Sequence, residues 1–359
     1  MTSNHPLIRL LRSPRHGIEV LSLREWSLAI NAARRGHLLG RLAHLLDGLN
    51  ASTMLPEQVR NHIESANRVA TSQHRNVRWE IAEIHRALAE KNIPFILLKG
   101  GAYIAMNCDA ARGRTLSDID IMVHHSEILD AERILINHGW FPGKLNPYDQ
   151  RYYRTWMHEL PPLRHLERGT SLDVHHTIIP PTAATKPDVN QLWAKARSLP
   201  SYRDVFVLSP EDMVLHSATH LFHDGEMEHG LRDLVDMDSL ISEFSKQEDF
   251  WLTLRKRAEL LGLTGPLYYA LQCRSHFLGI SAPEDVLHSI GNQSGSVSLS
   301  TKWTLRQLIL AIGAILNEHP TFSIQFAQFM VFVRSHYLRM PMHLLVPHLL
   351  RKMLHENAE

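Results

Sequence analysis

The sequence predicts an α+β protein in which a small strand-bearing core is set between helical segments at both ends. Three observations carry this. Apolar residues recur at helical spacing towards residue 90, three short apolar runs between 93 and 175 have strand character, and helical patterning returns after 209. At 359 residues, with 44% hydrophobic and 21% charged side chains, the chain is globular and long enough for two or three domains. We divide it into an N-terminal helical segment (1–75), a core (76–180) and a C-terminal helical domain (181–359).

Val77, Ile81, Ile84 and Leu88 fall on one face of a helix, which Asn92 is placed to end. Ile93 to Leu98 is a short apolar run that stops at Lys99-Gly100-Gly101, so it reads as a buried strand. A loop with Arg112, Gly113 and Arg114 follows. Then Ile119, Ile121 and Val123 alternate with Asp118, Asp120 and Met122, a strand with one apolar face. Ser126 is placed to cap the next helix, with Ile128, Leu129, Ile134 and Leu135 as its apolar positions and Gly139 as its stop. Thr170 to His175 is a third strand, with Leu172 and Val174 facing inwards. Pro180, Pro181 and Pro187 mark the boundary. Ser209-Pro210-Glu211-Asp212 starts a helix with a capping serine, a proline and acids. The last thirty residues mix apolar side chains with Arg334, Arg339, Arg351 and Lys352, a pattern that favours a packed final helix hairpin with a solvated basic face over a membrane-surface helix.

Composition excludes several classes. Lys and Arg number 38 against 37 Asp and Glu, a net charge of +1 that does not suit general nucleic-acid binding. Cys108 and Cys273 cannot build a disulfide framework or a cysteine-rich zinc site. No apolar run approaches the roughly 18 residues of a membrane span, and the N-terminus lacks a secretory apolar stretch, so a cytoplasmic protein is expected. The 25 histidines are scattered along the chain and form no tract.

Asp118 and Asp120 carry the sharpest chemical signal. Two apart on a strand, their carboxylates leave the same face and converge on ions. Joint ionisation is resisted unless a cation compensates, and divalent metals in pairs suit phosphoryl or nucleotidyl transfer. Asp173 points the same way from another strand and is placed to hold an ion or accept a proton from an attacking hydroxyl, with His175 on its face. Gly100-Gly101 between strand and helix lets backbone N–H groups approach a triphosphate. Arg232 and Asp236 stand at i and i+4 with Asp233 between them, as a surface ion pair or as an arginine that faces a nucleotide and is oriented by an acid. A rival signal comes from His216, His220 and His223, one stripe of a helix followed by Asp224, which is suggestive of an HD-like metal-dependent phosphohydrolase.

Gly100-Gly101, Asp118-Ile119-Asp120 and Asp173 together resemble the DNA polymerase β-type nucleotidyltransferase superfamily. The wording LLKGGAY, GRTLSDIDIMV and LDVHH is most similar to a poorly characterised bacterial nucleotidyltransferase family with LKG…R…DIDLLV…LDLHW motifs. The likeness is specific over residues 93–178 and extends weakly through the segment HSATHLFHDGEMEHGLRDLVDMDSLI. It implies a small mixed-sheet core and transfer of an NMP group from an NTP to a hydroxyl acceptor. Asp118, Asp120 and Asp173 would hold two Mg²⁺ ions, with Mn²⁺ as a substitute. Lys99, Gly100, Gly101, Arg114 and Arg232 would contact the nucleotide. The acceptor could be a small molecule, sugar, peptide or protein. A non-catalytic, antitoxin-like protein of the same fold is the remaining alternative, and retention of all three acids weighs against it.

Overall fold

The computed structural model describes residues 4–49, 54–144, 146–223, 225, 227–291 and 298–347. Four short helices open it: α1 (Pro6–Arg12), α2 (Pro14–Val20), α3 (Leu23–Arg35) and α4 (Leu39–Asp47). A capping box between Ser22 and Glu25 starts α3. The long helix α5 (Glu57–Ala89) follows, and Val77, Ile81, Ile84 and Leu88 are buried on its inner face as the spacing predicts.

The centre of the chain forms a seven-stranded mixed sheet in the order β3-β4-β5-β2-β1-β7-β6. Its strands are β1 (Phe95–Leu97), β2 (Asp118–Met122), β3 (Trp140–Pro142), β4 (Leu163–His165), β5 (Ser171–His175), β6 (Arg197–Ser198) and β7 (Val205–Val207). Interleaved with them are α6 (Lys99–Met106), α7 (Ile128–Asn137), α8 (Pro147–Trp156) and α9 (Val189–Lys195). The three predicted strands are the central ones: β1 pairs antiparallel with β2, and β2 pairs parallel with β5. The strands β6 and β7 lie past residue 180 and return the chain to the sheet, where β7 pairs parallel with β1.

Helices then dominate: α10 (Pro210–His223), α11 (Gly230–Phe244), α12 (Phe250–Leu261), α13 (Thr264–Leu278), α14 (Glu284–Gly291), α15 (Leu299–Ile312) and α16 (Phe322–Arg339). The predicted cap of α10 is present, with the Asp212 N–H donating to Ser209 Oγ at 3.2 Å. No helix among the described residues is long and apolar enough to cross a membrane. Both cysteines are buried and unbridged.

Three local expectations differ. Ser126 lies in a 3₁₀ turn and does not cap α7, which begins two residues later. With that start, Leu129 turns to the solvent side (68% exposed), while Ile128, Ala131 and Leu135 face inwards. Met122 is fully buried, because β2 is covered on both faces beyond Asp118. Lastly, α15 and α16 do pack together. However, the outer face of α16 carries Phe322, Phe326, Phe329, Phe332 and Tyr337 in exposed positions, so it is not simply a basic face. Arg351 and Lys352 lie outside the described residues.

The loop between α6 and β2 is where the three parts of the chain meet. Arg41 of α4 donates from Nη1 to the Asp109 carbonyl at 2.5 Å and from Nη2 to Ser239 Oγ of α11. Gly113, at φ 71°, lies backbone to backbone against Gly40, where a Cβ on either residue would meet the other's carbonyl oxygen at 2.1–2.3 Å.

Candidate active site

Two strands and one helix start build the site. Asp118 and Asp120 leave β2 on one face, and the parallel register of β5 sets Asp120 beside Asp173 and Asp118 beside Ser171. Adjacent strands run about 4.8 Å apart, so the three predicted acids form one cluster. On the other side of β2, the chain leaves β1 and enters α6 at Lys99. This lysine has φ 44°, a left-handed conformation costing about 1–3 kcal/mol outside glycine. Its Nζ donates to Asp120 Oδ1 at 2.8 Å. His175 Nε2 donates to the same oxygen at 3.1 Å.

These contacts explain the charges. Asp120 is only 3% exposed, and burial alone would push its carboxyl up. Lys99 and His175 overcome that and hold it well below the ordinary carboxylate range. Asp173 forms no such ion pair among the described residues, and the His175 charge offsets its surroundings only in part. Burial, with the Asp120 and Glu159 charges, pushes its carboxyl up to about 7. A cluster in which one acid is pinned ionised and its neighbour resists ionisation lacks positive charge, and a divalent cation fits that donor set.

The start of α6 has no capping side chain, and the first N–H to bond back is that of Ala102, to the Leu98 carbonyl. The N–H groups of Lys99, Gly100 and Gly101 therefore head the helix beside the acids. The two glycines are not equivalent. A Cβ at Gly101 would sit 3.6 Å from Ile119 Cγ2, an ordinary contact, whereas at Gly100 it would lie 2.1 Å from Arg114 Nη1.

Arg114 thus fills the space beneath the turn. It is 8% exposed, and its Nε donates to Asp236 Oδ2 of α11 at 2.5 Å. Asp236 is therefore not the partner of Arg232. Arg232 donates to Asp233 Oδ1 from Nε and Nη2 at 3.0 and 2.8 Å. Arg232 and Asp233 remain near the site, since the charges of His220 and Arg114 act on Asp233.

The structure adds residues that the motifs do not contain. The Glu159 and His158 side chains approach His175 from the segment after α8. His216 of α10 is buried and held neutral, its value pushed well below the ordinary one by burial and by Lys99, His220 and His175. Tyr153 of α8 is pushed up to about 12 by burial and by Glu159, Tyr152 and Asp173 nearby. His216, the first of the α10 stripe, therefore lies among the charges of the strand site. Asp224, the other half of the His-Asp pair, lies outside the described residues. The surplus of histidines was the signal for these residues, but scattered positions do not reveal which of them the fold gathers.

A family model described as an uncharacterised nucleotidyltransferase matches residues 22–279, which include the sheet, α10 and α11. The chain belongs to that family. The matched region reaches well beyond the 93–178 motif block, into α3 on one side and the end of α13 on the other. No curated protein and no solved structure matches the chain. Family membership places the protein among the nucleotidyltransferases, with a nucleotide as the implied substrate.

Proposed function

We propose that this protein is a Mg²⁺-dependent enzyme that transfers an NMP group from an NTP to a hydroxyl-bearing acceptor and releases pyrophosphate. The observation that carries the proposal is the register of β2 and β5, which sets Asp118, Asp120 and Asp173 on one sheet face beside the uncapped start of α6. Those three acids are the residues that would hold two Mg²⁺ ions, or Mn²⁺ in their place. When bound, the ions supply charge neutralisation of the triphosphate and favour attack at its α-phosphorus.

The chain's own residues do the remaining work. The N–H groups at Lys99, Gly100 and Gly101 receive the oxygens of the β- and γ-phosphates, and the helix start favours their charge. Lys99 holds Asp120 ionised and stands next to the incoming phosphates. Asp173 takes the proton of the acceptor hydroxyl, since a carboxyl raised towards neutrality is a better base than an ordinary one. Arg232, steered by Asp233, faces the phosphates from the C-terminal side. The guanidinium of Arg114 is committed to Asp236, so it serves the nucleotide by supporting the turn at Gly100 from beneath.

Calorimetric titration of the four nucleoside triphosphates with Mg²⁺ tests this. One saturable, metal-dependent site is expected in the wild type, weakened at least about 100-fold in Asp118→Asn. Unchanged binding in that variant, or no binding of any triphosphate to folded wild type, would refute the assignment.

A further inference from the structure

A second donor set gathers around His175 of β5, beside the acids. Glu159 forms an isolated bridge with His175 and brings His158 with it. One donor atom from each of His158, Glu159 and His175 lies within 4.8 Å of the other two. Glu159 Oε2 is 3.4 Å from His175 Nδ1 and 3.8 Å from His158 Nε2. A dication held at about 2.1 Å by nitrogen and oxygen in tetrahedral geometry separates its ligand atoms by about 3.4 Å. The three groups already stand near that spacing.

An independent observation points to a ligand. His175 is 2% exposed, yet its Nδ1 makes no hydrogen bond. A buried ring nitrogen that makes no hydrogen bond and faces only a carboxylate oxygen 3.4 Å away is costly and calls for an explanation. On the opposite side of the ring, Nε2–H donates to Asp120 Oδ1, and in the neutral ring that arrangement leaves the lone pair on Nδ1, facing Glu159. Carboxylates orient metal-binding histidines in this way, from behind the ligand.

We propose that His158, Glu159 and His175 form a three-ligand site for a borderline transition-metal dication of the Zn²⁺ or Co²⁺ type. Its ligands are distinct from the oxygen-only set of Asp118, Asp120 and Asp173, and Asp120 links the two by orienting His175 through Oδ1. Two imidazoles and one carboxylate select such an ion over Mg²⁺, which prefers oxygen ligands alone. The site does not depend on the nucleotidyl-transfer proposal, because its ligands and its readout are its own.

The test is titration of Co²⁺ into chelator-stripped full-length protein in excess Mg²⁺, followed by visible absorption and by Zn²⁺ competition. One equivalent of Co²⁺ should bind with a tetrahedral-type spectrum and be displaced by Zn²⁺. His158→Gln should abolish the spectrum, and Glu159→Gln, a second ligand variant, should weaken binding at least tenfold. Asp120→Asn, which removes the orienting carboxylate, should cost about 10–100-fold. Asp118→Asn should leave Co²⁺ binding unchanged. Circular dichroism establishes that each variant is folded. The proposal fails if folded wild type gives no such spectrum, the result expected of a charged histidine held between two carboxylates. It fails equally if the spectrum survives in both ligand variants or disappears in Asp118→Asn.

Discussion

Asp118 and Asp120 share a strand face but not an environment. Asp118 is half-buried, whereas Asp120 is enclosed and receives both Lys99 and His175. Asp118→Asn should therefore remove nucleotide binding with little change in melting temperature. Asp120→Asn should also destabilise the fold by about 3 kcal/mol, because Lys99 is left buried beside a neutral amide. Denaturant unfolding of the two variants side by side checks this. Asp173 gives the opposite effect. Its folded carboxyl is raised from the ordinary 3.8 to about 7, so folding favours the protonated form, and stability conferred below pH 4 is lost as pH rises through 7. At pH 8 without divalent cations, Asp173→Asn should be more stable than wild type by about 2 kcal/mol, with the gain vanishing near pH 4. Below pH 7 a cation must also displace that proton, so Mg²⁺ affinity should fall with pH in wild type but not in the variant. The three acids were legible in the sequence because strand alternation alone sets their face. The burial of Asp120 was not, since Lys99 and His216 reach it from α6 and α10, and no local pattern encodes that approach.

Among the elements, the turn from β1 into α6 was legible as a glycine pair, but the division of labour within it was not. Gly100→Ala should be severe, since its Cβ would displace the Arg114 guanidinium from beneath the turn. Overpacking of this kind costs about 1–3 kcal/mol, and disturbance of the Arg114–Asp236 pair adds to it. Gly101→Ala, with room at 3.6 Å, should fold with a melting temperature close to wild type. Thermal unfolding of the two alanine variants separates these outcomes. Helix periodicity located α5 and the start of α10 well, because each signal lies within a few residues of its own helix. It misplaced the cap of α7, where a 3₁₀ turn intervenes, and overlooked β6 and β7, which are too short to show alternation and join the sheet through the pairing of β7 with β1.

At the scale of the whole molecule, the segment from Asp109 to Arg114 ties the three parts of the chain together. The Asp109 N–H donates to Glu243 Oε2 of α11 at 2.8 Å, its carbonyl accepts from Arg41 of α4, and Arg114 pairs with Asp236. In the sequence this stretch was only a loop with Arg112, Gly113 and Arg114, because its partners lie far away in both directions. A double-mutant cycle on Arg114→Ala and Asp236→Ala should show a coupling of about 2 kcal/mol, measured by denaturant unfolding. Each single variant should also weaken triphosphate binding, although neither side chain need touch the ligand.

The contact of Gly40 with Gly113 limits how such a protein can be recombined. Each backbone occupies the volume that the other's side chain would need, so no enlargement of one can be relieved by shrinking its partner. A chimera that grafts a foreign N-terminal helical segment onto this core will seat only if the donor also carries glycine where Gly40 stands. The helices that precede the sheet are, in this sense, keyed to it and not interchangeable modules.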